Sequence, residues 1–449
     1  MKRILLSLLT LTIFSNTIFA QEHSSTATRT DKKLELTLNA AKQYAIEHNR
    51  NLQNATYAEK VAEAKRWQAI ASMLPQLTLG ANYNNFLGHE IDMTAMGAGK
   101  IKQNPNGTFT AQASLTLSGA QIVGAQLAKM SGELSKISTQ KSNQDIASDV
   151  TQTYMSILML EKTDTLLHGN LENIEKLYES TKEAVRVGVS EETDADQLKV
   201  QVASMQNTIN QTERSINMLY NSLKIHLGAD VDTEIKLTET IDDLLNADHA
   251  MSLLSQEFSL NKNYDYQLLK AQNELYKKQV TSAWWNYGPS VTAFYRYSKY
   301  KEFSDKVNPF SELSNVPHTV GISANWTIFT SGSNAAKVKE AKLNYAQNQN
   351  TLETTEDQLN IQNQQLRYNL NSAFENYKNQ EENLAVTQRV LESTANKFHY
   401  GTASAIDLTT ASNNMIAAQN NYVAAMTDLV NAQIELEKLL NITTSTSKE

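Results

Sequence analysis

The chain contains no cysteine and only five prolines among its 449 residues. The absence of cysteine excludes disulfides, thiol nucleophiles, thiolate metal sites and a lipid anchor on an N-terminal cysteine. Proline is also absent from Ala120 to about Arg186 and from Ser333 to Tyr400. A continuous helix over either stretch would be about 100 Å long, because each residue adds ~1.5 Å. Helices of that length predict extended hairpins that pack on neighbours instead of a compact globule.

Long apolar runs are missing everywhere except at the N-terminus. There, Lys2 and Arg3 precede a short apolar stretch that ends near Ala20, which predicts a secretory signal peptide over residues 1–20. No other segment approaches the ~20 apolar residues of a transmembrane helix. The mature chain is therefore expected either to be soluble or to cross a membrane as a barrel.

Basic clusters are missing as well. The formal net charge is −8, or about −10 without Lys2 and Arg3, and the charges are spread along the chain. Phosphate binding requires clustered Lys and Arg, so no nucleic-acid partner is expected. The eight histidines are scattered singly, and His89 with Glu90 and Asp92 is assigned to a solvated loop. The sequence accordingly predicts no enzyme, no metal site and no cofactor.

The chain does contain an internal repeat, with the two copies about 213 residues apart. Each half has the order helix, strand, strand, long helix, turn, long helix. The matching segments are 49–53 and 263–267, Pro75 and Pro289, 114–119 and 327–332, and 187–194 and 400–407. Tyr154 precedes Gly188 by 34 residues, whereas Phe374 precedes Gly401 by 27. The two halves therefore differ by an apparent exchange of one heptad within the long helix.

The long helices carry coiled-coil seams, in which apolar residues recur at alternating spacings of four and three. In the first long helix the run from Ile146 to Val185 follows this pattern, and only Asp164 breaks it. The last helix repeats the pattern from Leu408 to Leu439, with alanine at alternate positions. These seams predict helical hairpins, and the small alanine side chains allow neighbouring helix axes to approach closely.

Alternation of period two follows Pro75 and Pro289, which end the preceding helices. It predicts strands over about 76–86, 108–118, 290–300 and 319–329, each with one apolar face. Such strands fit a transmembrane barrel, but an ordinary soluble sheet alternates in the same way. Four strands cannot close a barrel, whose smallest membrane form has about eight, so closure requires several copies of the chain. The aromatic residues expected at the membrane interface are Trp284, Trp285 and Tyr287.

Each long hairpin turns at a glycine, which permits a tight reversal between antiparallel helices. The first tip reads Arg186, Val187, Gly188 and Val189, with Asp194 after it, and the second reads Phe398, His399, Tyr400, Gly401 and Thr402, with Asp407 after it. On the duplication, the prolines before the strands and these two tips, the chain resembles the TolC-like outer-membrane efflux protein family (outer membrane factors). The resemblance extends from about Leu36 to Leu440.

The resemblance implies an α plus transmembrane β fold. Three copies would form a homotrimer whose twelve-stranded outer-membrane β-barrel continues into a twelve-helix periplasmic α-barrel. The implied function is the exit duct of a tripartite efflux pump or type I secretion system, in the outer membrane and periplasm of a Gram-negative bacterium. Outer-membrane lipid would surround the barrel. The alternative from the residues alone is a periplasmic or surface coiled-coil scaffold without a pore.

The resemblance also assigns partners and roles to the tips. Residues 186–189 and 400–402 would dock on a periplasmic adaptor, the membrane fusion protein, and through it reach an inner-membrane transporter of RND, ABC or MFS type. Opening would be an outward untwisting of the tips.

A gate is implied at the periplasmic mouth. Three copies of Asp407 would repel one another there, favour cations and raise one another's pKa. Asp194 would hold the closed state through a hydrogen bond across helices, yet the family's hydroxyl partner is replaced by Phe398, which cannot donate one. Ala403 and Thr410 are two further departures from the family's gate. The alternative role for both aspartates is helix capping after a turn.

The predicted division of the chain follows from these elements. It comprises a signal peptide (1–20), a spacer (21–34), a first repeat (35–228, hairpin 120–228), an equatorial segment (229–262), a second repeat (263–440, hairpin 333–440) and a tail (441–449).

Overall fold

The computed structural model describes residues 33–442, apart from residues 93, 95, 96, 98, 246 and 304–316. The predicted signal peptide lies outside the described residues, as do most of the spacer, most of the C-terminal tail and most of the loop between the second pair of strands.

The first half begins with a short strand and two helices and ends with two long helices. Its elements are β1 (Lys33–Leu36), α1 (Leu38–His48), α2 (Arg50–Ala71), β2 (Gln76–Asn84), β3 (Glu90–Asp92), β4 (Lys100–Lys102), β5 (Asn106–Ser118), α3 (Gly119–Arg186) and α4 (Glu192–Leu227). The strands β3 and β4 form an antiparallel hairpin. His89, Glu90 and Asp92 are exposed there.

The second half repeats this order after a connecting segment. The connecting elements are β6 (Glu234–Leu237), α5 (Ile241–Leu244) and α6 (Ala247–Ser255), and the second half consists of α7 (Tyr264–Trp284), β7 (Ser290–Glu302), β8 (His318–Asn325), α8 (Ser333–His399) and α9 (Ala405–Leu440). No helix within the described ranges combines the length and the apolar character needed to span a membrane.

The long helices have nearly the same lengths in the two halves. There are 68 residues in α3 and 67 in α8, and 36 in each of α4 and α9. These nearly equal lengths exclude an inserted heptad but not an exchange within the helix, so the one-heptad exchange inferred from Tyr154 and Phe374 stays a prediction.

Four strands form one antiparallel sheet in the order β2-β5-β7-β8. The register places Leu115 opposite Ala293 and Leu117 opposite Val291, so the apolar side chains of the two halves share a face. On the other face the hydroxyl oxygens of Thr116 and Thr292 are 2.9 Å apart.

The last strand is shorter than the alternation predicts. It ends at Asn325 instead of near residue 329, because Asn325 pairs with Ser290, the first residue of β7. Beyond that pair β7 offers no further backbone partner. Trp326 and Ile328, which the alternation places on the strand, follow its end.

The two halves join around the largest apolar core of the described residues, which we call the equatorial layer and which draws residues from α1, α3, α4, α6, α8 and α9. Here β1 pairs in parallel with β6. Tyr154 is completely buried, and its hydroxyl donates to the Leu36 carbonyl oxygen at 3.0 Å and to Glu239 Oε2 at 3.1 Å. Burial, together with the negative charge of Glu239, raises the pKa of Tyr154 above its ordinary value.

A buried asparagine closes each half in the same way. The Asn49 side-chain oxygen accepts from two N–H groups in the first turn of α2, at 2.8 and 3.2 Å, and its Nδ2 donates to the His226 carbonyl oxygen at 2.6 Å. Asn263 accepts from the first turn of α7 at 3.0 and 3.2 Å and donates to the Leu439 carbonyl oxygen at 3.3 Å. Each asparagine thus caps one helix and also binds the last turn of the hairpin in its own half.

Candidate functional site

The sheet exposes its apolar face. Leu79 on one edge strand is 68% exposed, and Val320 and Ile322 on the other edge strand are 79% and 78% exposed. The register places all three on the same face, together with apolar residues of β5 and β7. An apolar surface of this kind marks contact with lipid or with another protein.

Aromatic side chains lie where this sheet meets the long helices. Trp284, Trp285 and Tyr287 are exposed at the end of α7. The Trp284 and Tyr287 rings lie 5.7 Å apart, and Trp326 Nε1 donates to the Tyr287 carbonyl oxygen at 2.8 Å. The Trp285 ring lies so close to Gly119 that a Cβ there would be 2.0 Å from it. Glycine is therefore required where α3 leaves the sheet.

The first tip is the turn between α3 and α4. Gly188 has a φ of +78°, in the left-handed region that glycine tolerates best. The Val189 N–H donates to the Ala184 carbonyl oxygen at 2.8 Å, which closes the C-terminus of α3. Val187 and Val189 are exposed, and Arg186 Nε is 2.6 Å from Glu183 Oε2. This tip therefore presents two apolar side chains beside an ion pair.

The second tip, between α8 and α9, has the same backbone. Gly401 has a φ of +72°, and the Thr402 N–H donates to the Lys397 carbonyl oxygen at 2.8 Å. Tyr400 is 79% exposed, and Phe398 is partly buried in the last turn of α8. Both tips are thus reversed by the same left-handed glycine, but an aromatic residue stands at the second tip where the first has valine.

The two predicted gate aspartates occupy the third position of their helices, and their surroundings differ. Asp407 accepts from the Ser404 N–H at 2.9 Å and from Ser404 Oγ at 2.7 Å, while its own N–H donates to Ser404 Oγ at 3.1 Å. This is a complete capping box. The hydrogen bonds from the Ser404 backbone and side chain hold the pKa of Asp407 below its ordinary value within one chain.

Asp194 lacks the equivalent arrangement. Glu191 occupies the cap position of α4, but its side chain accepts only from Thr193 Oγ1, at 3.3 Å, and makes no capping hydrogen bond with a backbone N–H of the helix. Among the described residues, no hydrogen bond joins the Asp194 carboxylate to a neighbouring helix, so the contact that the resemblance implies is not formed within a single chain.

Two polar links between the hairpins were not found from the sequence. Gln201 Nε2 on α4 donates to Asn413 Oδ1 on α9 at 2.8 Å, and Asn170 Nδ2 on α3 donates to Gln419 Oε1 on α9 at 2.5 Å. Ile416, between them on α9, packs against the apolar core of the first hairpin. Asparagine and glutamine are abundant throughout the chain, so composition could not single out these four residues.

Solved structures with a similar fold are bacterial outer-membrane channels. VceC from Vibrio cholerae is 18% identical with a TM-score of 0.73, and the match covers 90% of this chain and 95% of that one. The Campylobacter jejuni channel CmeC is 16% identical with a TM-score of 0.72, and the coverages are 90% and 85%. The Neisseria gonorrhoeae channel MtrE in its open state is 16% identical with a TM-score of 0.69, and the coverages are 90% and 88%. These likenesses confirm the predicted TolC-like fold.

Among curated protein sequences, none matches this chain. The family described as outer membrane efflux protein matches residues 41–229 and 253–441, one segment in each half. The predicted resemblance is thereby confirmed, and the family and the similar structures are Gram-negative outer-membrane channels. The chain belongs to the outer membrane efflux protein family.

Proposed function

We propose that three copies of this chain assemble into an outer-membrane channel that serves as the exit duct of a tripartite efflux pump or type I secretion system. The four-stranded sheets would close into a barrel of twelve strands, and the long hairpins would form a periplasmic tube of twelve helices. The tips would dock on a periplasmic adaptor, which connects the duct to an inner-membrane transporter of RND, ABC or MFS type.

The observation that carries this proposal is the open sheet with an exposed apolar face. Within the described residues, β2 is paired only with β5 and β8 only with β7. Apolar edge strands of this kind promote association unless a partner covers them. Pairing β8 of one copy with β2 of the next removes every edge, and twelve strands exceed the minimum of about eight for a membrane barrel.

The aromatic group at the base of the sheet supports the same assembly. Trp284, Trp285 and Tyr287 lie where the barrel would end and the helices would begin. Exposed tryptophan and tyrosine are favoured at the level of lipid headgroups, because one end of the side chain is apolar and the other is polar. We assign these three residues to the periplasmic interface of the outer membrane.

The proposed gate lies at the second tip. In a trimer the three Asp407 carboxylates would converge on the mouth of the tube, where mutual repulsion opposes the lowering of their pKa by Ser404. The links Gln201–Asn413 and Asn170–Gln419 join α9 to the first hairpin and would restrain its outward movement. Opening the duct would therefore require breaking polar contacts inside each chain as well as separating Asp407 from its copies. Asp194 and Phe398 would contribute through packing at the same mouth.

The decisive experiment is conductance of the purified protein in planar lipid bilayers, together with its mass in detergent. We expect a trimer with a small conductance that favours cations. Asp407→Ala should raise that conductance, and so should the double change of Gln201→Ala and Asn413→Ala. A monomer, or a protein that never conducts, would contradict the channel.

A matched control variant distinguishes the two possible roles of Asp407, closing the pore and capping α9. Ser404→Ala removes the two capping bonds made by Ser404 Oγ but keeps the Asp407 carboxylate, so it should leave cation preference unchanged. If Ser404→Ala and Asp407→Ala change conductance equally, the aspartate acts by capping α9 and not by closing the pore. For docking, Val189→Asp should keep the conductance of the isolated channel but abolish dye efflux in cells that contain the adaptor and transporter.

A further inference from the structure

Asp164 is the one residue that breaks the seam of α3, where it places a carboxylate between apolar seam positions. Leu167 and Leu171, which follow on the seam, are buried. Within the described part of the chain, Asp164 Oδ1 is shielded from solvent and has no hydrogen-bond partner. A carboxylate oxygen in this condition is costly, because burial removes its water without replacing it.

Two further ligand-bearing side chains face Asp164. His168 follows one turn later on α3, and its Nε2 is 3.6 Å from Asp164 Oδ2, which is too long for a hydrogen bond. Glu213 faces them from α4. The ligand atoms of Asp164, His168 and Glu213 all lie within 4.8 Å of one another. Ligands held at ~2.0–2.2 Å from one metal ion are separated by up to about 4 Å, so small side-chain movements would bring all three into one coordination shell.

We propose that Asp164, His168 and Glu213 bind a divalent first-row transition metal ion of the zinc class. One imidazole nitrogen with two carboxylate oxygens suits such ions, whereas Mg²⁺ and Ca²⁺ take oxygen ligands. Water would complete the coordination, because two of the three residues are exposed. Binding through Oδ1, or through both carboxylate oxygens, would give the unpaired oxygen of Asp164 a partner, and the ion would fasten α3 to α4.

The site lies at the base of the first hairpin, next to the equatorial layer. Lys162 on the preceding turn is 2.6 Å from Asp242 in α5, and Tyr220 on α4 donates to Glu161 at 2.7 Å. A metal ion would therefore add a link where the hairpin leaves the layer that joins the two halves. The proposal does not depend on the protein being a channel.

The equivalent positions of the second half, which the structure describes, do not hold such a set of ligands. At the same distances from Gly401, it has Tyr377, Glu381 and Met426. There the hairpin is joined by the Tyr377 and Tyr422 hydroxyl groups, whose oxygens are 3.3 Å apart. The ion should consequently stabilise one hairpin of each chain and leave the other unaffected.

The test is zinc titration of the full mature chain, purified in detergent, stripped of metal by chelation and freed of any affinity tag. Calorimetry should detect one Zn²⁺ per chain, and Zn²⁺ but not Mg²⁺ should raise the unfolding temperature. Co²⁺ should give a visible absorption band from its coordinated state. Asp164→Asn, His168→Ala and Glu213→Gln should each weaken zinc binding at least about tenfold, since loss of a second-shell partner alone has an effect of that size.

Two variants distinguish metal binding by Asp164, His168 and Glu213 from a purely structural role of these residues. Asp164→Leu restores the seam, so it should unfold at a higher temperature without metal and lose its response to Zn²⁺. His89→Ala removes an exposed histidine beside acidic residues elsewhere and should bind Zn²⁺ like the parent. The proposal is overturned if the parent chain does not bind Zn²⁺, or if binding survives in Asp164→Leu and His168→Ala.

Discussion

The two halves of the chain make the same hydrogen bonds at the equatorial layer, but the helix caps at their tips differ. Asn49 and Asn263 make the same hydrogen bonds, each capping a helix and each binding the last turn of its own hairpin. Both are buried. Glu191 and Ser404 also occupy equivalent positions, yet only Ser404 caps its helix. The duplication has therefore kept the joints that close each half and has allowed the ends that would move to diverge.

This difference indicates unequal roles for the two hairpins. The second hairpin has a capped first turn in α9, an acidic residue within the capping box and an exposed tyrosine at its tip. The first hairpin has an uncapped α4 and, at its base, the proposed metal site. A trimer would contain three copies of the first hairpin and three of the second, so its tube would be built from two alternating kinds of hairpin.

The largest effect is expected from replacing the two buried asparagines, which tests whether the two halves are closed in the same way. Asn49→Ala and Asn263→Ala should each lower the free energy of unfolding by about 2 to 3 kcal/mol, because each loses a cap and leaves a carbonyl oxygen unpaired. Denaturant unfolding in detergent measures both. Asn51→Ala, an exposed asparagine in the same turn as Asn49, serves as the control and should have little effect. A difference of more than about 1 kcal/mol between the two variants would show that the joints are not equivalent.

A smaller effect tests the difference between the tips. Ser404→Ala should destabilise the start of α9 by about 1 kcal/mol, and Glu191→Ser should stabilise the start of α4 by a similar amount. The serine introduced there would form a capping box with Asp194. Hydrogen exchange of the amides in each first turn provides the measurement. If the amides of both first turns exchange equally slowly in the parent chain, the two helix starts do not differ in stability as expected.

The smallest effect is a pH dependence of the second tip. Because the folded pKa of Asp407 is lowered, its contribution to stability is present above the unfolded pKa and is lost as pH falls through the folded value. The difference in unfolding temperature between the parent and Asp407→Asn should therefore narrow as pH falls below about 4. Asp194→Asn serves as the control for general acid effects. If the difference in unfolding temperature stays constant as the pH falls, the Asp407 carboxylate is not stabilised by its hydrogen bonds with Ser404.

Local patterns in the sequence account for much of the fold. The stops at Pro75 and Pro289, the seams of the long helices and the glycine turns at 188 and 401 each depend on neighbours within a few turns of the chain. Such interactions are readable because residue spacing on a helix or strand decides which side chains share a face. The duplication also identifies equivalent positions in the two halves.

Tertiary structure decided the contacts between distant residues. The bond from Asn49 spans 177 positions, and the link from Gln201 to Asn413 spans 212. The end of β8 at Asn325 depends on where its partner strand begins, and the meeting of Asp164 with Glu213 depends on how α3 and α4 are aligned. Periodicity specifies which face of an element is buried, but only packing determines which residue of another element lies opposite it.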